Sequence, residues 1–357
     1  MGVQTVLGVI DKSALGKTSV HEHIYIDINC LFVMPDDPLF TKPLTSKVSI
    51  ENLGDLRRNP HYNIDNGILD DFDVALKEIM EFKYAGGGTI VCVSNNGLGR
   101  SPEGLKRLAV ASGLNLIMGS GYYVAASHPA DYGTRPVEAI AEEIEKDILC
   151  GVGETGVKSG VIGEIAVSPV MHPDEGKTIA AGAMAQKKTG LGFHIHIYPW
   201  GVEGNRYPLG LDALDIAEKN GADLSKVSIN HVDVAANINL EYATEIAKRG
   251  AWVQFDNFSH EYYIDKRNRK FIQGSFETDI NRVRALGKLI EAGYLKQLLV
   301  ASDTCRKNHL HCYGGWGYDH LLTNIIPMMQ DEGFDDTTIK TLYVDNPARF
   351  LDSPKII

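Results

Sequence analysis

Short apolar runs alternate along this chain with stretches whose hydrophobic residues recur every three or four positions, and the alternation repeats eight times. The short runs are 18–27 (TSVHEHIYID), 87–94, 115–123, 161–167 (VIGEIAV), 192–197 (GFHIHI), 226–232, 251–256 and 298–303. They are rich in β-branched residues and mostly lack strict polar alternation, which predicts strands buried on both faces. Between them, Val137, Ile140, Ile144 and Ile148 in 134–150 share one helical face. So do Phe72, Leu76, Ile79 and Met80 in 71–84, and Leu240, Ala243, Ile246 and Ala247 in 238–249. Gly250, directly after Lys248 and Arg249, marks a helix end.

Consecutive strand–helix units pair in parallel, because each parallel strand needs a crossover to return to the same edge. Eight such units close most simply into a (β/α)8 TIM barrel, an α/β fold forming a single domain over 1–357. The rival, an open doubly wound sheet, lacks its signature: no G-x-G-x-x-G opens the first strand-to-helix turn. The length exceeds that of a plain barrel of about 250 residues. The excess falls at 28–68, where Pro35, Pro38, Pro43 and Asn59-Pro60 interrupt any period; it reads as a loop insertion beside the barrel mouth.

Composition narrows the setting. A hydrophobic share of 44% with 23% charged residues is globular, and a formal net charge of −11 disfavours nucleic-acid and anionic-membrane partners. No apolar stretch reaches the roughly 18 residues of a membrane span, and the opening MGVQTVLG has no signal-peptide pattern. Five scattered cysteines without a C-x-x-C neither staple a secreted fold nor make a thiolate zinc site. A cytoplasmic location is the resulting expectation.

In such a barrel, chemistry sits where the strands end. Strand one carries His21 and His23, whose i, i+2 spacing puts both imidazoles on one face. Strand four carries Glu164 within an apolar run, strand five His194 and His196, strand six His231 and strand eight Asp303. Taken singly, each has a bland reading: a strand histidine as a hydrogen-bonded core residue, Glu164 as half of an ion pair, Asp303 as a helix cap. Taken together, so many ionisable groups at one rim would be costly to bury without a cation. Neutral imidazole plus carboxylate suits zinc or a similar divalent ion.

The set HEH, GVIGEI, a strand-five histidine, INHVD, ASDTCRKNHLHCYGGWGYDHLLTNIIPMM and DNPARFL resembles the phosphotriesterase family of the amidohydrolase superfamily, in its phosphotriesterase-related branch. The likeness runs from VQTVLG near the start to the final NPARFL. It implies a barrel with two adjacent divalent metal ions, zinc first and manganese or cobalt as alternatives. By position, His21, His23 and Asp303 would hold the more buried ion, and His196 and His231 the more exposed one. Glu164 would bridge them where the founding enzymes use a carbamylated lysine, since this strand contains no lysine. Of the two strand-five histidines, His196 is chosen as ligand because it ends its strand; His194 lies a layer deeper.

The implied activity is hydrolysis of a carboxylic ester, or a related amide or lactone, by a metal-bridging hydroxide, with Asp303 as the catalytic acid/base. The alternatives are a phosphotriester or phosphonate ester hydrolase, and a non-enzymatic binding protein on the same barrel. Some family members relay protons through a strand-six aspartate and a strand-seven histidine. Here Asp233 is present but strand seven ends in Asp256-Asn257, which tilts the reading towards carbonyl substrates and leaves Asp256 a structural residue. Arg306 and Lys307, just past Asp303, suit an anionic small-molecule substrate or, alternatively, pair with surface carboxylates. Tyr122 or Tyr123 could contact substrate, with Tyr123 chosen; aromatic core packing is the rival reading. Loop histidines His309, His311 and His320 receive no task. The resemblance alone suggests a homodimer.

Overall fold

The structure, a computed structural model, describes residues 2–32, 34, 44–200, 207–264, 274–353 and 355. An antiparallel hairpin of β1 (Gly2–Thr5) and β2 (Gly8–Asp11) precedes the first barrel strand, β3 (Lys17–Glu22). Then come β4 (Ile26–Asp27), α1 (Leu53–Arg58), β5 (Ile68–Leu69), α2 (Phe72–Tyr84), β6 (Gly87–Cys92), α3 (Pro102–Ser112) and β7 (Asn115–Met118). The second half continues as α4 (Val137–Leu149), β8 (Ile162–Ala166), α5 (Pro173–Thr189), β9 (Phe193–His196), α6 (Gly210–Lys219) and β10 (Val227–Ile229). It ends with α7 (Leu240–Lys248), β11 (Trp252–Phe255), α8 (Asp279–Glu291), β12 (Leu298–Val300), α9 (Ile326–Asp331), α10 (Asp336–Lys340) and α11 (Asn346–Leu351).

Strands β3, β6 and β7 pair in parallel, as do β8 through β12 in chain order. Backbone bonds close the two seams between these arcs. Gly163 N–H reaches Ser120 O at 2.6 Å on one side, and Asp303 N–H reaches His21 O at 3.1 Å on the other. The result is the (β/α)8 barrel that the periodicity predicts, with helices on the outside burying the anticipated stripes, such as Ile140, Ile144 and Ile148 on α4. Helix ends follow local chemistry. The Asp71 carboxylate caps α2 by accepting from the N–H groups of Asp73 and Val74, and Gly113 ends α3 at φ 69°, a region glycine enters without a Cβ penalty. Among the described residues no helix is long and apolar enough to cross a membrane.

Val91, Val93, Ile117, Val161, Leu299 and Ala301 pack the barrel interior with Val3, Leu15, Phe350 and Leu351 from the chain's ends. The interior is therefore a core and not a pore. Segment 28–68 departs from the featureless loop expected of it. Its far end is β5, which pairs with β4, and it contains α1 and short helical turns at Pro60–Tyr62 and Asp65–Gly67. These elements are too short to leave a period in the sequence and hold their place by contacts with other parts of the chain. Pro35, Pro38 and Pro43 of this segment lie outside the described residues.

Candidate metal centre

Six side chains from five strands converge at the barrel mouth. Glu164 is at their centre, 2% exposed. The glycine before it is required there: Gly163 has φ 107°, and a Cβ would collide with the His194 carbonyl oxygen on the neighbouring strand. Around Glu164, Oε2 lies 3.4 Å from His21 Nε2, 3.4 Å from His231 Nε2 and 3.2 Å from His196 Nδ1. Oε1 lies 3.3 Å from His23 Nε2, which is also 3.3 Å from Asp303 Oδ1. Ligand atoms around one tetrahedral zinc at 2.0–2.1 Å stand about 3.3 Å apart. The imidazole–carboxylate spacing is thus that of a coordination shell, while His196 Nδ1 and His231 Nε2 stand closer, at 2.7 Å, and two groups emerge: His21, His23 and Asp303, and Glu164, His196 and His231. A third combination, His21, His231 and Asp256, also meets the distance test, but Asp256 has other work.

Two further observations fit a cation. His21 Nε2 and His23 Nε2 are buried and make no hydrogen bond, a costly state for a polar atom unless something else binds it. The far nitrogens are occupied: His23 Nδ1 lies 2.8 Å from Ser94 Oγ, and His231 Nδ1 lies 2.8 Å from Asp256 Oδ1. A proton on each Nδ1 turns the Nε2 lone pair inward. His21 Nδ1 is occupied too, by the side-chain amides of Gln254 at 2.8 Å and Asn230 at 3.1 Å, with Asp256 Oδ2 3.4 Å away.

The electrostatics agree. Burial pulls the His23 imidazole down, but the Asp303 and Glu164 carboxylates overcome it and lift its pKa to about 10. His231 is likewise depressed by burial and raised well above its ordinary value by Asp256 and Glu164. Burial pushes Glu164 up, yet His21 and His196 hold it well below the usual carboxylate range. At His21 burial wins and lowers the pKa despite Glu164, Asp256 and Asp303; the carboxylate field that raises His23 and His231 attracts a cation placed there.

Asp303 and His231 sit at positive φ, 47° and 61°. Non-glycine residues rarely occupy this region, and strain of this kind gathers at functional sites. Glu22, the middle residue of HEH, holds Asp303 in position. Its Oε1 accepts the Ser302 N–H at 2.9 Å and its Oε2 the Thr304 N–H at 2.7 Å, bracketing Asp303. Burial lifts the Glu22 carboxyl to about 7 against those same hydrogen bonds. Nothing in the spacing of HEH reveals this clasp, because its partners lie some 280 residues away. Asp256 was legible only as structural; in fact it orients a candidate ligand, accepting from His231 backbone N–H at 3.0 Å as well as contacting the ring.

The remaining candidates separate clearly. His194 is fully buried between the rings of His21 and Phe350, and burial lowers its pKa to about 3. Asp233 is paired with Arg282 at 3.1 Å and accepts the backbone N–H groups of Asp256 and Asn257, so it serves the scaffold. Tyr122 donates to Glu143 at 2.6 Å, away from the mouth, whereas the Tyr123 hydroxyl lies 3.5 Å from His196. The pocket over the ligands encloses about 580 Å³, part of it open to solvent, and is lined by Tyr123, Arg306, Asp303, His196 and His231 among others. Lys307 is not brought there. It pairs with Asp65 at 2.8 Å, because the chain turns into a short helix at Lys307 immediately after the extended Arg306. His61 and His260, which the sequence did not single out, do line the pocket. His309, His311 and His320 bond to Tyr262, Asp319 and Asp279.

A family model described as the phosphotriesterase family matches residues 1–351. The N-acetyltaurine hydrolase of Salmo salar is 35% identical over 353 residues, covering 98% of this chain and 97% of that one. A resiniferatoxin-binding protein from Rhodobacter sphaeroides superposes with a TM-score of 0.92 at 34% identity, covering 98% of this chain and 95% of that one. The phosphotriesterase homology protein of Escherichia coli, solved with phosphate in its active site, gives 0.75 at 25% identity over 95% and 99%. With the family model and close relatives both spanning nearly the whole barrel, the chain belongs to the phosphotriesterase family.

Proposed function

We propose that this phosphotriesterase-family hydrolase cleaves the carbonyl bond of a small carboxylic acid derivative, an amide or ester, with two divalent ions held around Glu164. The observation that carries the reading is the cage in which imidazole nitrogens lie 3.2–3.7 Å from carboxylate oxygens, with two buried imidazole nitrogens left without hydrogen bonds. Zinc is the first choice for this donor set, with manganese or cobalt as alternatives. When bound, such ions supply Lewis acidity, easing deprotonation of water and polarising the substrate oxygen.

The chain's own residues do the rest. His21, His23 and Asp303 would hold one ion, His196 and His231 the other, and Glu164 would touch both. Asp303, 14% exposed at the pocket floor, accepts the proton of the attacking water and returns it to the leaving amine or alcohol. Water adds to the carbonyl carbon, the C–N or C–O bond breaks, and no covalent intermediate with the protein is needed. Tyr123 stays protonated, because burial pushes its phenol well above the ordinary value, so it presents a donor to the substrate beside His196.

Relatives named N-acetyltaurine hydrolase, at 35% and 32% identity, support amides among the carbonyl substrates. The phosphate in the Escherichia coli structure supports phosphoryl esters as the second reading, and the Rhodobacter sphaeroides protein's name supports ligand binding as a third. Metal-loaded protein should be tested on N-acetyl amides, aryl acetates, lactones and paraoxon-type phosphotriesters. Carbonyl substrates are expected to turn over fastest, with all activity lost to a chelator and restored by zinc, manganese or cobalt. Faster phosphotriester turnover would reverse the ranking. No turnover of any class by protein carrying its metal would favour the binder.

A further inference from the structure

Arg306 is a buried cation, 6% exposed, in the wall of the pocket. No carboxylate among the described residues lies within ion-pair distance of its guanidinium. Its side-chain partner is the imidazole of His61, 3.3 Å from Nη2. A guanidinium has no acceptor and does not lose its proton, so the His61 nitrogen must accept and the ring must be neutral. Burial, with Arg306 beside it, holds His61 well below its ordinary pKa, as that pairing demands. Burying a guanidinium against a neutral ring leaves its charge uncompensated, a costly arrangement in the free protein.

A second, independent feature lines the same pocket. His260 is 4% exposed, and its Nε2 has no hydrogen-bond partner. The ring is wedged against His309 at a centroid distance of 4.2 Å. His309 itself is committed: its Nε2 meets the Tyr262 hydroxyl and its Nδ1 the Cys305 N–H. His260 Nε2 is thus an unpartnered polar atom, and the tautomer with the proton there donates. Ile28, Leu31, Pro60 and Phe276 make the surrounding wall apolar, which strengthens any charge pairing inside it.

We propose that Arg306 and His260, with His61 steadying the guanidinium, form a subsite for an anionic oxyacid group carried on the same molecule as the scissile carbonyl. The ligand class is an acylated amine or alcohol bearing a sulfonate, carboxylate or phosphonate. Two N–H bonds from the guanidinium and one from the imidazole match an oxyanion with acceptors on more than one oxygen. This inference rests on the carbonyl-hydrolase reading and adds what selects the substrate.

The test compares three N-acetyl compounds of similar length on the metal-loaded full chain: N-acetyl-2-aminoethanesulfonate, N-acetyl-β-alanine and neutral N-propylacetamide. One charge-assisted contact of this kind is expected to favour an anionic member over the neutral one by about 100-fold in kcat/KM. The sulfonate-to-carboxylate ratio then shows which oxyacid the subsite prefers. R306Q should collapse the anionic-to-neutral ratio towards one, H260N should reduce it by about tenfold, and K307M should leave it unchanged, because Lys307 faces Asp65. Calorimetric titration with ethanesulfonate reads binding without turnover, and R306Q should abolish the heat. If R306Q fails to fold, the wild-type preference and titration still decide. Equal kcat/KM for charged and neutral members would overturn the subsite and leave the hydrolase reading intact. Ethanesulfonate binding that R306Q does not alter would place the anion at the metals and also overturn it. Binding abolished by R306Q with no amide, aryl acetate or lactone hydrolysed would keep the subsite and sink the carbonyl-hydrolase reading.

Discussion

Asp303→Asn isolates the proton-transfer role from every structural role of this residue. The substitution is nearly isosteric, and asparagine enters the left-handed region, where Asp303 sits at φ 47°, as readily as aspartate. The backbone is held independently of the side chain: Asp303 N–H bonds His21 O at 3.1 Å, and Glu22 pins the residues on either side. The fold should therefore survive, with a melting temperature close to that of the wild type. The amide oxygen remains near His23 Nε2, now 3.3 Å from Asp303 Oδ1, so a neutral ligand atom is still offered to the more buried ion. What disappears is the base. General acid–base groups contribute about 10²–10⁴ in rate, equivalent to about 3–5 kcal/mol of barrier. The assay is kcat on the best substrate of the panel, with bound metal measured by elemental analysis on the same preparation. Metal retained with kcat down at least 100-fold is the expected outcome. A variant within tenfold of wild type would show that Asp303 moves no proton. Loss of both metals would show that its contribution is ligation alone.

Two other perturbations probe the groups behind the ligands. Asp256→Asn removes the carboxylate that fixes the His231 ring and should weaken retention of the more exposed ion by about 10–100-fold in a chelator competition, as outer-shell partners typically do; an unchanged competition curve would return Asp256 to a purely structural role. His194 is held neutral, with a folded pKa of about 3 against an unfolded value of about 6.5. Because the unfolded chain binds the extra proton, its contribution is fully present above about pH 6.5 and is lost as pH falls towards 3. By pH 5.5 the loss is about 1.2 kcal/mol relative to pH 7. Urea unfolding of wild type and His194→Gln across that range should show a shallower pH slope for the variant, and parallel slopes would refute the assignment.

The barrel was legible because its signal is repetitive. Eight β-type runs separated by helical stripes leave few architectures open, and the helix predicted at 134–150 is found at Val137–Leu149. The candidate ligands were legible for the same reason, since a strand end puts His21, His23, Glu164 and Asp303 where only one rim exists. What was not legible depends on contacts between distant segments. Glu22 looks like a spacer between two histidines until its bonds to Ser302 and Thr304 are seen. His61 lies in a segment without periodicity, yet short elements carry it over the mouth to Arg306. Arg306 and Lys307 look equivalent in sequence, but one backbone turn sends the first into the pocket and the second to Asp65. Charge and spacing cannot distinguish such neighbours, because the direction of a side chain is set by local φ and ψ and by what lies opposite.

Everything rests on two ions held around Glu164. The direct measurement is anomalous scattering from crystals of the full chain grown with zinc or manganese, recorded on both sides of the metal edge. Two peaks are predicted, one among His21, His23 and Asp303 and one among His196 and His231, with a Glu164 oxygen reaching each. Absence of both peaks at full metal loading, with the same imidazoles and carboxylates bonded only to one another, would contradict the account.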